Sequence, residues 1–146
     1  MVKLKITNFR IYSTNLIDMK RFLLLTVMLF IAQLSSAIEN DSLLNQAREF
    51  STKKDYSSAI ICYKKYLKET SNKDLKEVYI EFANSYYLNK QKKEAIQTIR
   101  VAIEKYGFVE QDFIFNKTLN EKLSDEAWAA IYDDYFILRD RYLANQ

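Results

Sequence analysis

The 146-residue chain contains no histidine, no proline, one glycine (Gly107) and one cysteine (Cys62), and its formal charge is +3. Without histidine it lacks the usual general base, proton shuttle and transition-metal ligand, and a single cysteine permits neither an internal disulfide nor a cysteine-rich zinc site. The scarcity of Gly and Pro argues against a turn-rich β domain and for helices, whose interiors disfavour both residues.

The first element in chain order reads as a targeting segment. Lys20 and Arg21 form a basic patch, and a mostly apolar run of 13 residues from Phe22 to Leu34 follows. Ser35 and Ala37 then provide small residues at cleavage spacing. A membrane-spanning helix needs about 20 residues, so the run fits a cleaved signal peptide over 19–37. An uncleaved signal anchor is the alternative. Either translation starts at Met19, leaving residues 1–18 untranslated, or the signal has a long basic n-region. Residues 1–37 carry Lys3, Lys5, Arg10, Lys20 and Arg21 against Asp18, a net of +4, so the remainder carries −1. The basicity belongs to the leader, and the mature part has no electrostatic footprint for nucleic acid.

From residue 38 to Gly107 the pattern is helical and repeats once. Leu43, Ala47 and Phe50 stand at i, i+4, i+7, one face of a helix. Lys53-Lys54-Asp55 is a polar turn, and Ala59, Tyr63 and Tyr66 or Leu67 form the face of a second helix. The same kinds of residue recur 36 positions later, Leu43 as Tyr79, Ala47 as Ala83, Phe50 as Tyr86, Ala59 as Ala95, Ile60 as Ile96, Tyr63 as Ile99 and Leu67 as Ile103. A polar turn at Asn89–Lys93 separates the two helices of the second unit. Small residues paired in this way let antiparallel helices approach, so Ala47 is expected to face Ala59, and Ala83 to face Ala95.

These residues carry a resemblance. The stretches Ala47–Leu67 and Ala83–Ile103 are similar to the tetratricopeptide repeat family in their order of small residue, aromatic, turn, Ala-Ile and aromatic or aliphatic residue. They depart from it in lacking a closing proline, in Tyr66 where a small residue is usual, and in Lys90-Gln91 where Gly-Asp is usual. The resemblance implies an all-α, right-handed stack of antiparallel helix hairpins, an α-solenoid of two repeats. It also implies a concave groove that takes an extended peptide or helix. The matching groove positions are Leu44, Arg48 and Ser51 in the first unit and Ile80, Asn84, Tyr87 and Leu88 in the second. Burial of Ile80 and Tyr87 in a central helix is the competing reading. Asn84 matches a backbone-clamping asparagine of the branch that binds C-terminal carboxylates, but the basic residues of that clamp have no counterpart here.

Residues 108–146 read as a cap. Gly107 is placed to end the fourth helix. Phe108, Phe113, Ile114 and Phe115 fall in a loop or short turn, and Leu119 and Leu123 suggest a brief helix. Ser124-Asp125-Glu126 is a helix start, followed by the stripe Trp128, Ile131, Tyr132, Tyr135, Leu138 and Tyr142. The segment is similar to the aromatic tail that follows such repeats in exported bacterial proteins, and it would cover the open end of the stack.

Few groups invite chemistry. Cys62, among Ile60, Ile61 and Tyr63, reads as a small core residue. Asp133, Asp134 and Asp140 share one helix and face water, whereas paired catalytic carboxylates flank a cleft. Lys53, Lys54, Lys90, Lys92 and Lys93 mark the turns and read as solvated. The expectation is a non-catalytic scaffold of the periplasm or secreted space, without cofactor, metal or nucleic acid and without a membrane span after cleavage. Its partner would be a protein or peptide in the groove. The alternative is a structural protein that self-associates through its Tyr- and Trp-rich C-terminal helix.

Overall fold

The computed structural model describes residues 21–24, 42–70 and 74–146, and every regular element among them is helical. The chain divides into two compact units, Met1–Glu39 and Asn40–Gln146. In the first, residues 21–24 are a helical stretch with Phe22, Leu23 and Leu24 exposed. The cleavage positions Ser35 and Ala37, and all of residues 1–20, lie outside the described residues.

The second unit contains α1 (42–52), α2 (Tyr56–Glu69), α3 (Lys76–Leu88), α4 (Lys92–Tyr106), α5 (Glu110–Phe115), α6 (Glu121–Ile131) and α7 (Tyr135–Ala144). A 3-10 turn, Tyr132–Asp134, joins the last two. Helix α3 packs against α2 and α4, and α4 against α6 and α7.

The turn after α1 and the turn after α3 have the same construction. Lys54 and Lys90 both adopt the left-handed conformation, with φ of 61° and 64°. Around Lys54, the Lys54 N–H donates to the Ser51 carbonyl and the Asp55 N–H to the Phe50 carbonyl. Around Lys90, the Lys90 N–H donates to Tyr87 and the Gln91 N–H to Tyr86. This is the Schellman closure, which satisfies carbonyls left open at a helix end. The position normally favours glycine, and here a lysine occupies it twice. The Asp55 side chain then caps α2 by accepting from the Ser58 N–H at 3.2 Å, and the hydrogen bonds from Ser58 and Ser57 hold the carboxyl below its ordinary pKa. Gln91 caps α4 without a side-chain bond.

The four alanines expected at the crossings, Ala47, Ala59, Ala83 and Ala95, are each 0% exposed. The core continues through Tyr63, Phe82, Ile99 and Ile103 into the C-terminal segment as Phe108, Leu123, Ala127 and Ile131. Cys62 is half-buried against this core and is a free thiol.

The C-terminal third departs from the sequence reading in two ways. The first is the start of α6, which is capped by Asn120 rather than Ser124: the Asn120 side chain accepts from the Leu123 N–H. Ser124 lies buried one turn inside the helix, and its hydroxyl donates to the Phe113 carbonyl at 2.6 Å. Phe113 belongs to a short helix, α5, where the sequence suggests a loop or short turn. The second is a break in the long aromatic stripe at the 3-10 turn. Arg100 of α4 secures the break by donating to the Ala130 carbonyl at 2.9 Å and to the Asp134 carboxylate at 2.7 Å. Ile131, Tyr135 and Leu138 are buried, whereas Tyr132 is exposed. Gly107, with φ of 68°, ends α4 as expected.

Candidate functional site

Facing side chains of α1 and α3 line an open cleft of about 290 Å³. Its polar wall is a fork between Arg48 and Glu81. The Arg48 Nε donates to Glu81 Oε2 at 2.9 Å and its Nη2 to Oε1 at 3.0 Å, a bidentate pairing that fixes both planes. The Tyr63 hydroxyl, reaching up from α2, donates to the same Glu81 Oε2 at 3.1 Å. The Glu81 hydrogen bond raises the Arg48 pKa, and burial pushes the Tyr63 phenol well above its ordinary value. Arg48 is therefore a fixed cation neutralised by Glu81, and the wall presents donors without a net charge.

The rest of the cleft is a mixture. The Ser51 and Ser85 hydroxyls meet at 3.2 Å across the helix pair, and Ser85 also donates to the Glu81 carbonyl. Tyr56 and Leu88 supply apolar lining, and Thr52 stands at the rim. Leu88 is 38% exposed, so its side chain can be covered further by a ligand.

Of the seven groove positions chosen from the sequence, Arg48, Ser51, Asn84 and Leu88 line this cleft. Leu44 is half-buried against the core. Ile80 is 0% exposed and belongs to the interior, because α3 is packed between its neighbours. Tyr87 is half-buried and braces α6: its hydroxyl donates to Glu126 Oε1 at 3.1 Å, and Lys92 pairs with Glu126 at 2.9 Å. The Lys92 hydrogen bond holds the Glu126 pKa below its ordinary value.

Asn84 grips backbone, but the backbone is its own chain's. Its Nδ2 donates to the Thr118 carbonyl at 2.6 Å, and its Oδ1 accepts from the Asn120 N–H at 2.9 Å. The amide is thus occupied in fixing the lead into α6.

Glu81, Tyr56, Ser85 and Thr52 were not among the sequence candidates. Their signal was present but weak. Glu81 lies 33 residues after Arg48, close to the repeat period, which is the separation at which opposed charges on successive first helices meet.

Among the described residues no group of three or more His, Cys, Asp or Glu side chains could hold a metal ion, and no helix is long and apolar enough to cross a membrane. Comparison with family models, with curated proteins and with solved structures gives no match for this chain.

Proposed function

We propose that the chain is a short tetratricopeptide-like module, a right-handed stack of two repeats with a C-terminal cap, exported by a bacterium to act as a non-catalytic protein-binding scaffold of the envelope or secreted space. Its ligand is an extended peptide segment of a partner protein, seated between α1 and α3.

Two observations support the repeat assignment: the closure repeated at Lys54 and Lys90, and the four fully buried alanines. The cleft carries the functional reading. At about 290 Å³ it sits at the lower edge of the roughly 300–1,000 Å³ typical of small-molecule sites, room for one side chain of a longer ligand. A mixed lining, apolar at Tyr56 and Leu88 with placed donors and acceptors around them, suits peptide capture, where pockets select side chains and polar groups fix the register. The Arg48–Glu81 fork is held in place before any ligand arrives, so little ordering is required on binding.

Affinity capture from the native envelope tests this. The wild-type chain is expected to retain a discrete partner, and the double variant Thr52→Tyr, Leu88→Arg, altered only at exposed positions, to lose it. Retention of the same partner by the variant would remove the cleft as the binding site.

A further inference from the structure

The C-terminal segment carries exposed apolar groups along α7, the turn before it and α5. On α7, Tyr135 and Leu138 are buried, but Phe136, Ile137 and Leu143 are 73%, 55% and 60% exposed. Tyr132, in the preceding turn, is 60% exposed. The outer side of α7 is therefore mixed, with these apolar groups set among Asp140 and Arg141, the composition of a contact rim and not of a helix interior. The edge continues through packed rings, Tyr132 against Trp128 at 5.5 Å and Trp128 against Phe113 at 5.1 Å. Ile114, next to Phe113, is 69% exposed. Scattered apolar side chains on a surface are ordinary, whereas a connected run of them marks a contact.

We propose that this edge is a homodimer contact in which a second copy of the chain lays its α7 antiparallel against the first, about a twofold axis passing near Ile137. The charges on α7 and on the 3-10 turn before it favour this occupant and this direction. In a twofold contact, residues equidistant from the axis meet. With the axis at Ile137, the exposed Asp133 of each copy meets Arg141 of the other. Arg141 reaches Glu104 of its own chain at 3.4 Å while remaining 58% exposed, so most of its donors stay available. Asp134 would approach Asp140 of the other copy, but Arg100 already neutralises Asp134 at 2.7 Å. A parallel pairing would instead set Asp133 against Asp133. Antiparallel packing also opposes the two helix dipoles favourably.

The available area fits a weak dimer. Tyr132, Phe136, Ile137, Leu143 and the Ile114 rim are 55–73% exposed and together bring several hundred Å² per copy, less than the roughly 800 Å² per partner of a standard interface and in keeping with a concentration-dependent dimer. The edge lies on α5–α7 and does not involve the α1–α3 cleft, so it stands or falls independently of the peptide-binding reading.

The test uses protein made from the full coding sequence. In a Cys62→Ser background, Ile137→Cys is expected to give a disulfide-linked species of twice the mass under mild oxidation, and Ser57→Cys, exposed on α2, to give none. Light scattering of the wild type should report a concentration-dependent dimer. Phe136→Asp should be monomeric with unchanged helical circular dichroism, and Asp133→Arg should weaken dimerisation about fivefold. A wild type that is monomeric throughout would overturn the proposal. So would Ile137→Cys cross-linking no better than Ser57→Cys, its linking instead to a different protein, or a dimer indifferent to Phe136→Asp.

Discussion

Replacing Gly107 by alanine probes the joint between α4 and α7 and separates two costs that usually arrive together. Gly107 adopts φ of 68°, a left-handed conformation that costs an L-residue with a Cβ roughly 1–2 kcal/mol. A Cβ at this position would also lie 2.8 Å from the Tyr142 Oη and 2.9 Å from its Cζ, well inside contact distance. Tyr142 stacks under the Arg139 guanidinium, 5.1 Å from the ring centroid, so moving the ring disturbs a second contact. Overpacking of this kind costs about 1–3 kcal/mol. The total, about 2–5 kcal/mol, is a large share of the roughly 5–15 kcal/mol stability of a small domain. Urea unfolding followed by circular dichroism measures it, as a lowered midpoint at constant slope. In a Tyr142→Ala background the clash is gone and only the backbone cost remains, so Gly107→Ala should then cost about 1–2 kcal/mol. An equal cost in both backgrounds would show that Tyr142 is not seated against Gly107 and that the described α4–α7 joint is wrong.

Three further outcomes follow from the same geometry. Lys90→Gly should raise the unfolding free energy by up to about 1 kcal/mol by relieving the left-handed strain, whereas Lys90→Ala should not, and equal gains from both would assign the effect to charge instead. The Asp55 and Glu126 carboxyls have folded pKa values below their unfolded ones, so their contribution is present above the ordinary carboxylate range and is lost as pH falls through the folded values. Thermal melts should therefore fall on acidification below about pH 4 and fall less steeply in Asp55→Ala and Glu126→Gln variants, and unchanged steepness in both would refute the assignment. Tyr79, stacked on Tyr106 at 4.7 Å, is pushed up to about 12 by burial and by its neighbour. Its stabilising effect is complete below the ordinary tyrosine value near 10 and is lost between there and about 12, so a spectrophotometric titration should show one delayed phenol fewer in Tyr79→Phe than in the wild type.

The helical pairs were legible in the sequence because their signal is local and periodic. Alanines at equal spacing can be read along one strand of text, and all four are fully buried. Turn chemistry was legible as position but not as conformation: nothing in Lys53-Lys54-Asp55 announces a left-handed lysine, because the surrounding helices impose it. The start of α6 was misread because Asn120 and Ser124 are both good caps and only Ser124 precedes two acidic residues. The choice is made by partners on other helices, Asn84 at the Asn120 N–H and the Phe113 carbonyl at the Ser124 hydroxyl. Long-range pairing hid Glu81 in the same way. Beside Ile80 it reads as a solvated helix carboxylate, and only the meeting of α1 and α3 makes it one arm of a fork.

Because Asn84 and Tyr87 are engaged by the lead into α6 and by Glu126, the inner side of the second hairpin offers little further purchase. The peptide proposed for the cleft would find a short window, room for one side chain, and hence a weak individual grip. Two such windows on a paired molecule would let a tethered second engagement proceed at millimolar effective concentration, so a ligand displaying the same short sequence twice would be retained far longer than one displaying it once.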